Sequence, residues 1–221
     1  MKIGALIATK GNERELFINH CINHLLYRQT REVDQIALIN HRPVSYVVND
    51  QRERIAKGVE QLQNTDLILF IEDDDWYSPE YVETIEKAYL SDQSTLVGFN
   101  DTTYYHLKGD CRYMEHQGRS SLFTTAIATD KAIQIDWMNA EKFIDLQLWR
   151  TFNDKTLMRS QDKAVGIKHG ISSYIGAGHE TKRTNDKDRT HFERLFGKDP
   201  YSMYFYGELI SMYFNEQSND E

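Results

Sequence analysis

Leu67-Ile68-Leu69-Phe70-Ile71 runs straight into Glu72-Asp73-Asp74-Asp75 and on into Trp76-Tyr77-Ser78-Pro79, and that order decides the fold class. An aliphatic run without polar alternation is the pattern of a strand buried on both faces, as in a parallel sheet covered by helices. Ligands of open α/β sheets bind outside the carboxyl ends of the strands, and the four acids stand there. Stacked carboxylates repel one another at neutral pH unless a cation offsets them. Oxygen donors suit a hard ion, Mg²⁺ or Mn²⁺, which takes few protein carboxylates and keeps positions for water and substrate phosphates. A solvated turn before a helix, with Ser78 as cap, Pro79 at the first position and Glu80 and Glu83 in the first turn, explains those four residues. It does not explain four acids on the end of a buried strand.

Outward from this segment, strand and helix patterns alternate through the first ninety residues. Ile3 to Ala8 reads as a strand broken by Thr9-Lys10-Gly11-Asn12, and Leu16, Phe17, His20, Cys21, His24 and Leu25 recur at helical spacing. Gln35 to Asn40 reads as a second strand, Val44 to Val48 as a short third, Gln51 to about Asn64 as a helix, and Pro79 to about Leu90 as another. This is the signature of parallel βαβ units. Beyond residue 90 the regularity fails: strands are expected at Thr95–Phe99, Tyr104–Leu107, Ser121–Ala128 and Val165–Ile167, a helix at Phe143–Phe152, and a loop at Gly170–Gly178. Lys182 to Lys198 reads as a solvated charge run, and Tyr201 to Phe214 as a core-packed terminal helix.

At 221 residues the expectation is one α/β domain with a Rossmann-like, mostly parallel central sheet and helices on both faces. A nucleotide-binding half would span about 1–100, a mixed, loop-rich half about 101–214, and a disordered tail 215–221. Two cysteines in unrelated contexts offer neither a metal spacing nor a disulfide framework. With no stretch as long as a membrane span and no signal-peptide core, the expected setting is the cytoplasm, without membrane insertion. A net charge of −8 argues against broad non-specific nucleic-acid binding.

The string Phe70-Ile71-Glu72-Asp73-Asp74-Asp75-Trp76-Tyr77-Ser78-Pro79 closely resembles the "FLDxDDxxxP" segment of family 2-like glycosyltransferases with the GT-A fold. The setting agrees over roughly residues 1–100: an opening strand ending at Thr9, a second ending at Asn40, and Gly58 in a helix where that family often has "ARNxG". The resemblance implies a metal-dependent transfer of a sugar from a nucleotide-diphosphate sugar, UDP-linked by preference, to a hydroxyl acceptor, with inversion. It implies Asp74 as principal ligand of Mn²⁺ or Mg²⁺ with Asp75 following, and Glu72, Asp73 and Thr9 around the nucleotide. Asn40 stands where the family has an acidic string that binds the base, so the usual carboxylate is absent. Arg54, a turn from the place of the missing Arg, is within reach of a phosphate.

By the same resemblance the catalytic base lies at the start of a helix in the second half, and Phe143-Ile144-Asp145-Leu146 has that form. Asp145 is the candidate, ahead of Glu141 and Asp136. A late "GxxH"-like string, here Gly176-Ala177-Gly178-His179, implies His179 as a further metal ligand, with Lys168, Lys182 and Arg183 facing the diphosphate. A nucleotidyltransferase of related fold and a sugar-nucleotide-binding module without catalysis are the competing classes. The acceptor, whether saccharide, protein or hydroxylated phage DNA base, and the oligomeric state are not readable.

Overall fold

The first strand, β1 (Ile3–Ala8), serves two cores at once. Ile3, Ala5 and Ile7 face one side with Leu67, Leu69 and Ile71 of β3 (Leu67–Ile71), and Leu6 faces the other with Ile68 and Phe70. All five residues of β3 are buried, so the strand has no polar face to show. This computed structural model describes residues 1–10, 14–40, 50–169 and 184–217. In it β2 (Gln35–Ile39), β1 and β3 pair in parallel. The sheet continues through β8 (Thr125–Ala128), β5 (Leu96–Phe99) and β9 (Lys155–Met158) in the order β2-β1-β3-β8-β5-β9, which leaves β3 in the interior.

Helices cover both faces. On one lie α1 (Glu15–His20), its π-helical continuation Cys21–Leu26 and α3 (Tyr81–Asp92), through Phe17, Leu25, Tyr81 and Ile85. On the other lie α2 (Asp50–Gln61) and α5 (Ile144–Thr151), through Ile55, Val59, Ile144 and Leu148. Gly58 is where α2 comes closest: a Cβ there would sit 2.5 Å from Leu6 Cγ, and one on Gly4 would sit 2.9 Å from Leu62. From Gly58 to Leu62 the contact moves from Leu6 back to Gly4, so α2 runs antiparallel to the strands. Its first turns therefore lie at the acidic edge.

A second sheet has the order β11-β7-β6-β10-β4, formed by β4 (Trp76–Tyr77), β6 (Asp101–His106), β7 (Asp110–Glu115), β10 (Ala164–Lys168) and β11 (Thr184–Asn185). Trp76 pairs with Val165 and Tyr77 with Ala164. The four acids thus span the step from the first sheet to the second, and β10 ends beside them. Trp76 is pinned from the other side, its Nε1 donating to Asp199 Oδ2 at 3.2 Å and its ring edge-on to Phe196 at 5.6 Å.

Several elements differ from expectation. Ser121–Ala128 is not strand throughout: Leu122–Thr124 is a 3₁₀ turn and only Thr125–Ala128 pairs. The hydroxyls of Ser120 and Thr125 donate to the carbonyls of Thr124 and Ser121 at 3.1 and 2.7 Å, diverting the backbone from the ladder. Within the charge run, Thr190–Phe196 forms α6, burying Phe192, Leu195 and Phe196 at helical spacing, so that part is packed rather than solvated. Strands β4, β7, β9 and β11 were not expected. The terminal helix α7 (Pro200–Gln217) continues into the expected tail. The expected strand Val44–Val48 and loop Gly170–Gly178, with His179, Lys182 and Arg183, lie outside the described residues.

Candidate functional site

The chain turns sharply after β3, the Asp75 amide donating to the Glu72 carbonyl at 3.3 Å and the Glu72 amide to the Tyr77 hydroxyl at 2.9 Å. This folds the acids inward: Asp73, Asp74 and Asp75 are 3%, 8% and 0% exposed, and Glu72 is half-buried. One oxygen from each of Glu72, Asp74 and Asp75 lies within 4.8 Å of the other two.

Three elements bring neighbours to this turn. From the start of α1, Arg14 Nη1 reaches Asp73 Oδ1 at 2.7 Å and Asp74 Oδ2 at 2.9 Å, and at the end of β1 the Thr9 hydroxyl donates to Asp73 Oδ2. From the end of β10, the Ile167 amide donates to Asp75 Oδ1 at 2.7 Å, and His169 Nε2 shares a hydrogen bond with Asp74 Oδ2 at 3.0 Å. Phe17 backs the His169 ring at 4.4 Å. Lys168 Nζ lies 5.1 Å over the Tyr104 ring. Asp75 Oδ2 is buried with no partner among the described residues.

Four carboxyls here face two permanent cations, Arg14 and Lys168, and burial decides who keeps a charge. It drives Glu72 up to about 7, with Asp74 adding to the rise and Lys168 and Arg14 opposing it. Burial also pushes Asp75 well above the carboxylate range, against the pull of Lys168. Burial acts on Asp74 too, but its bond to His169 and the charges of Arg14 and Lys168 overcome that and hold it well below the usual range. Lys168 and Arg14 are in turn held above their ordinary values, the surrounding acids outweighing burial. An orphaned carboxylate oxygen, three converging oxygen donors and, among the described residues, four carboxyls against the permanent charges of Arg14 and Lys168 fit a hard divalent cation.

Of the residues singled out in the sequence, Thr9, Glu72, Asp73, Asp74, Asp75 and Lys168 come together. Asn40 is exposed beside Thr9, whose amide bonds the Ile39 carbonyl at 3.1 Å. Arg54 is buried in the first half of α2, toward the same edge. Asp145 lies in the first turn of α5 and pairs with Arg119 at 2.6 Å; among the described residues no hydrogen bond or ion pair joins it to the acids. Glu141 pairs with Arg150 at 3.4 Å, and Asp136 caps a 3₁₀ turn through Asn139. Two further residues stand at the centre. Among the described residues His169 supplies the imidazole on Asp74. Arg14 was visible only as one of two basic residues after the first strand, and nothing local marks it as the counter-ion of a cluster 59 residues away.

Comparison with protein-family models gives no match, and comparison with curated proteins gives none either. Solved structures do match. TarS 1–349 from S. aureus superposes with a TM-score of 0.54 at 10% identity, over 76% of this chain and 60% of that one. A longer TarS chain gives 0.53 at 12%, over 76% of this chain and 37% of that one. TarS 1–349 in complex with UDP-GlcNAc gives 0.52 at 11%, over 97% and 72%. At such identities the likeness speaks for the fold, which is the GT-A-like α/β arrangement expected from the acidic segment.

Proposed function

We propose that this chain is a metal-dependent glycosyltransferase that takes a sugar from a nucleotide-diphosphate sugar, UDP-linked, and passes it with inversion to a hydroxyl acceptor. The observation that carries the reading is the buried carboxyl cluster at the end of the central strand, three of its oxygens converging and one oxygen on Asp75 without a partner among the described residues. Support for the donor comes from the fold shared with TarS, a protein crystallised with UDP-GlcNAc.

Glu72, Asp74 and Asp75 would hold Mn²⁺ or Mg²⁺, with His169 orienting Asp74; His179 remains a candidate further ligand. When bound, such an ion supplies a Lewis acid that offsets the charge growing on the departing diphosphate. Arg14 and Lys168 keep two fixed positive charges at the same edge for phosphate oxygens. Thr9, Asp73, Asn40 and Arg54 line the carboxyl edge of β1 and β2 and the facing turns of α2, the place for a nucleoside. Asp145 is the proposed base: it stands apart from the metal carboxylates, as a group that deprotonates an acceptor opposite the diphosphate must. Arg119 Nη1 holds and orients it through the ion pair at 2.6 Å. A reducing compartment such as the cytoplasm suits the two free, buried cysteines, and among the described residues no helix is long and apolar enough to cross a membrane.

The test is a mass-spectrometric screen of UDP-glucose, UDP-galactose, UDP-GlcNAc and related donors with Mn²⁺. Metal-dependent release of UDP from one of them is expected, lost in Asp145→Asn while donor binding persists. Release from none would count against a transferase.

A further inference from the structure

On the far face of the second sheet lies a cavity of about 310 Å³, the low end of the range for small-molecule sites. Side chains alternate along β6, so Asp101, Thr103 and Tyr105 share one face and Tyr104 and His106 the other. Tyr104 lies under Lys168, on the face toward the acids; Asp101 and Thr103 line the cavity, on the opposite face. The two places are also offset along β10, since Val165 pairs with Thr103 and Lys168 with His106, a separation of roughly 10 Å at about 3.3 Å per residue.

We propose that this cavity binds a neutral saccharide ring, independently of the acidic cluster. Its wall holds polar atoms that lack partners: Ser160 is 3% exposed and its Oγ makes no hydrogen bond among the described residues, and the same holds for the buried Nδ1 of His191. As placed both atoms are closed off from the open space, and rotation of either side chain turns an unused donor or acceptor to a ligand in the cavity. The lining charges argue against an anion. Arg194 is engaged by Asp162, and Asp101 adds a second carboxylate, which accepts from the Ser160 amide at 2.5 Å and the Tyr113 hydroxyl at 3.1 Å. Carboxylate oxygens, a hydroxyl and an imidazole suit a ligand rich in hydroxyl groups.

Tyr113 adds the apolar half of such a site. It is 58% exposed, yet its hydroxyl is held by Asp101 and receives a bond from Arg159 at 3.1 Å, so the ring stands as a fixed platform for the C–H face of a sugar. The turn that supplies Ser160 is held in a costly form, with Gln161 and Asp162 both left-handed at φ 48° and 57°, a conformation that persists in non-glycine residues where the surroundings impose it.

The test is isothermal titration in EDTA with glucose, galactose, N-acetylglucosamine and their β-linked disaccharides. At least one is expected to bind, weakened roughly tenfold or more by Tyr113→Ala, less by Ser160→Ala, and little by Tyr113→Phe, which keeps the ring. Binding should be unchanged in Asp74→Asn and, with Mn²⁺ in place of EDTA, in saturating UDP. Thermal melts confirm that each variant is folded, and Ser160→Ala, the smallest change, carries the test if Tyr113→Ala is not. Absence of binding by the whole panel would overturn the proposal. So would binding indifferent to both substitutions, or binding lost in Asp74→Asn, which would place the sugar at the acidic cluster.

Discussion

Asp75→Asn should make the protein more stable without metal and indifferent to metal afterwards. Asp75 is fully buried; Oδ1 takes the Ile167 amide at 2.7 Å and Oδ2 has no partner among the described residues. Asparagine keeps the first bond and puts an NH₂ donor where the orphan was, facing the Glu72 and Asp74 oxygens that lie within 4.8 Å. Lys168 loses one anionic neighbour but keeps Asp74 and Glu72. Relieving one unsatisfied buried polar atom is worth about 1–3 kcal/mol. For a chain of this size each kcal/mol moves Tm by about 2–4 °C, so the variant should melt roughly 2–12 °C higher in EDTA. Wild type in Mn²⁺ at a hundred times its Kd gains about 2.7 kcal/mol, or roughly 5–10 °C. The variant, lacking one of three ligands, should gain little, so the two melting curves change order between EDTA and Mn²⁺. Circular dichroism melts in both buffers suffice. A variant that melts below wild type in EDTA, or that keeps the full Mn²⁺ shift, would refute the reasoning.

Arg14→Met leaves Asp73 and Asp74 without their shared cation and should cost about 2–4 kcal/mol in EDTA; a larger Mn²⁺ shift than in wild type should accompany the loss, and an unchanged melt in EDTA would count against it. Gly58→Ala sets a methyl against Leu6 at 2.5 Å and should destabilise by about 1–3 kcal/mol in urea titrations; a neutral result would show that α2 can withdraw from the sheet. Stability should also fall with acid through His20, which stacks on Phe205 at 4.0 Å and whose imidazole is lowered to about 4 by burial first and by His24 second, with Asp199 opposing. A folded value below the unfolded one means the unfolded chain takes the proton first, so this contribution is complete above about pH 6.5 and is lost as pH drops toward 4, about 3 kcal/mol at most. His20→Gln should flatten that slope, and an identical slope would assign it elsewhere.

The first hundred residues were legible because their fold follows from local pattern. A two-faced aliphatic strand has to be interior, and Leu67–Ile71 is; a helix with one apolar stripe has to lie on the sheet, and Ile55 and Val59 do. The second half was harder because its order comes from pairings the sequence does not mark. β7 mixes charged and apolar residues without a regular buried face, and the buried side of α6 consists of three residues inside a charge run. Ser121–Thr124 has the apolar and aromatic composition of a strand, but the hydroxyls of Ser120, Thr124 and Thr125 bond carbonyls of this same turn. At the site, the acids announced themselves by position and type. Arg14 and His169 reach them only through tertiary structure, one from the start of α1 and the other from the end of β10. Their roles rest on distance in space, which no spacing in sequence records.

The central claim is that the acids at the end of β3 hold a divalent cation through which a nucleotide diphosphate binds. Isothermal titration of UDP into wild type and Asp74→Asn, each in Mn²⁺ and in EDTA, tests it most directly. The account predicts binding for wild type in Mn²⁺ alone, with at least a roughly tenfold loss in EDTA and in the variant. UDP affinity equal in Mn²⁺ and EDTA, or untouched by Asp74→Asn, would contradict it.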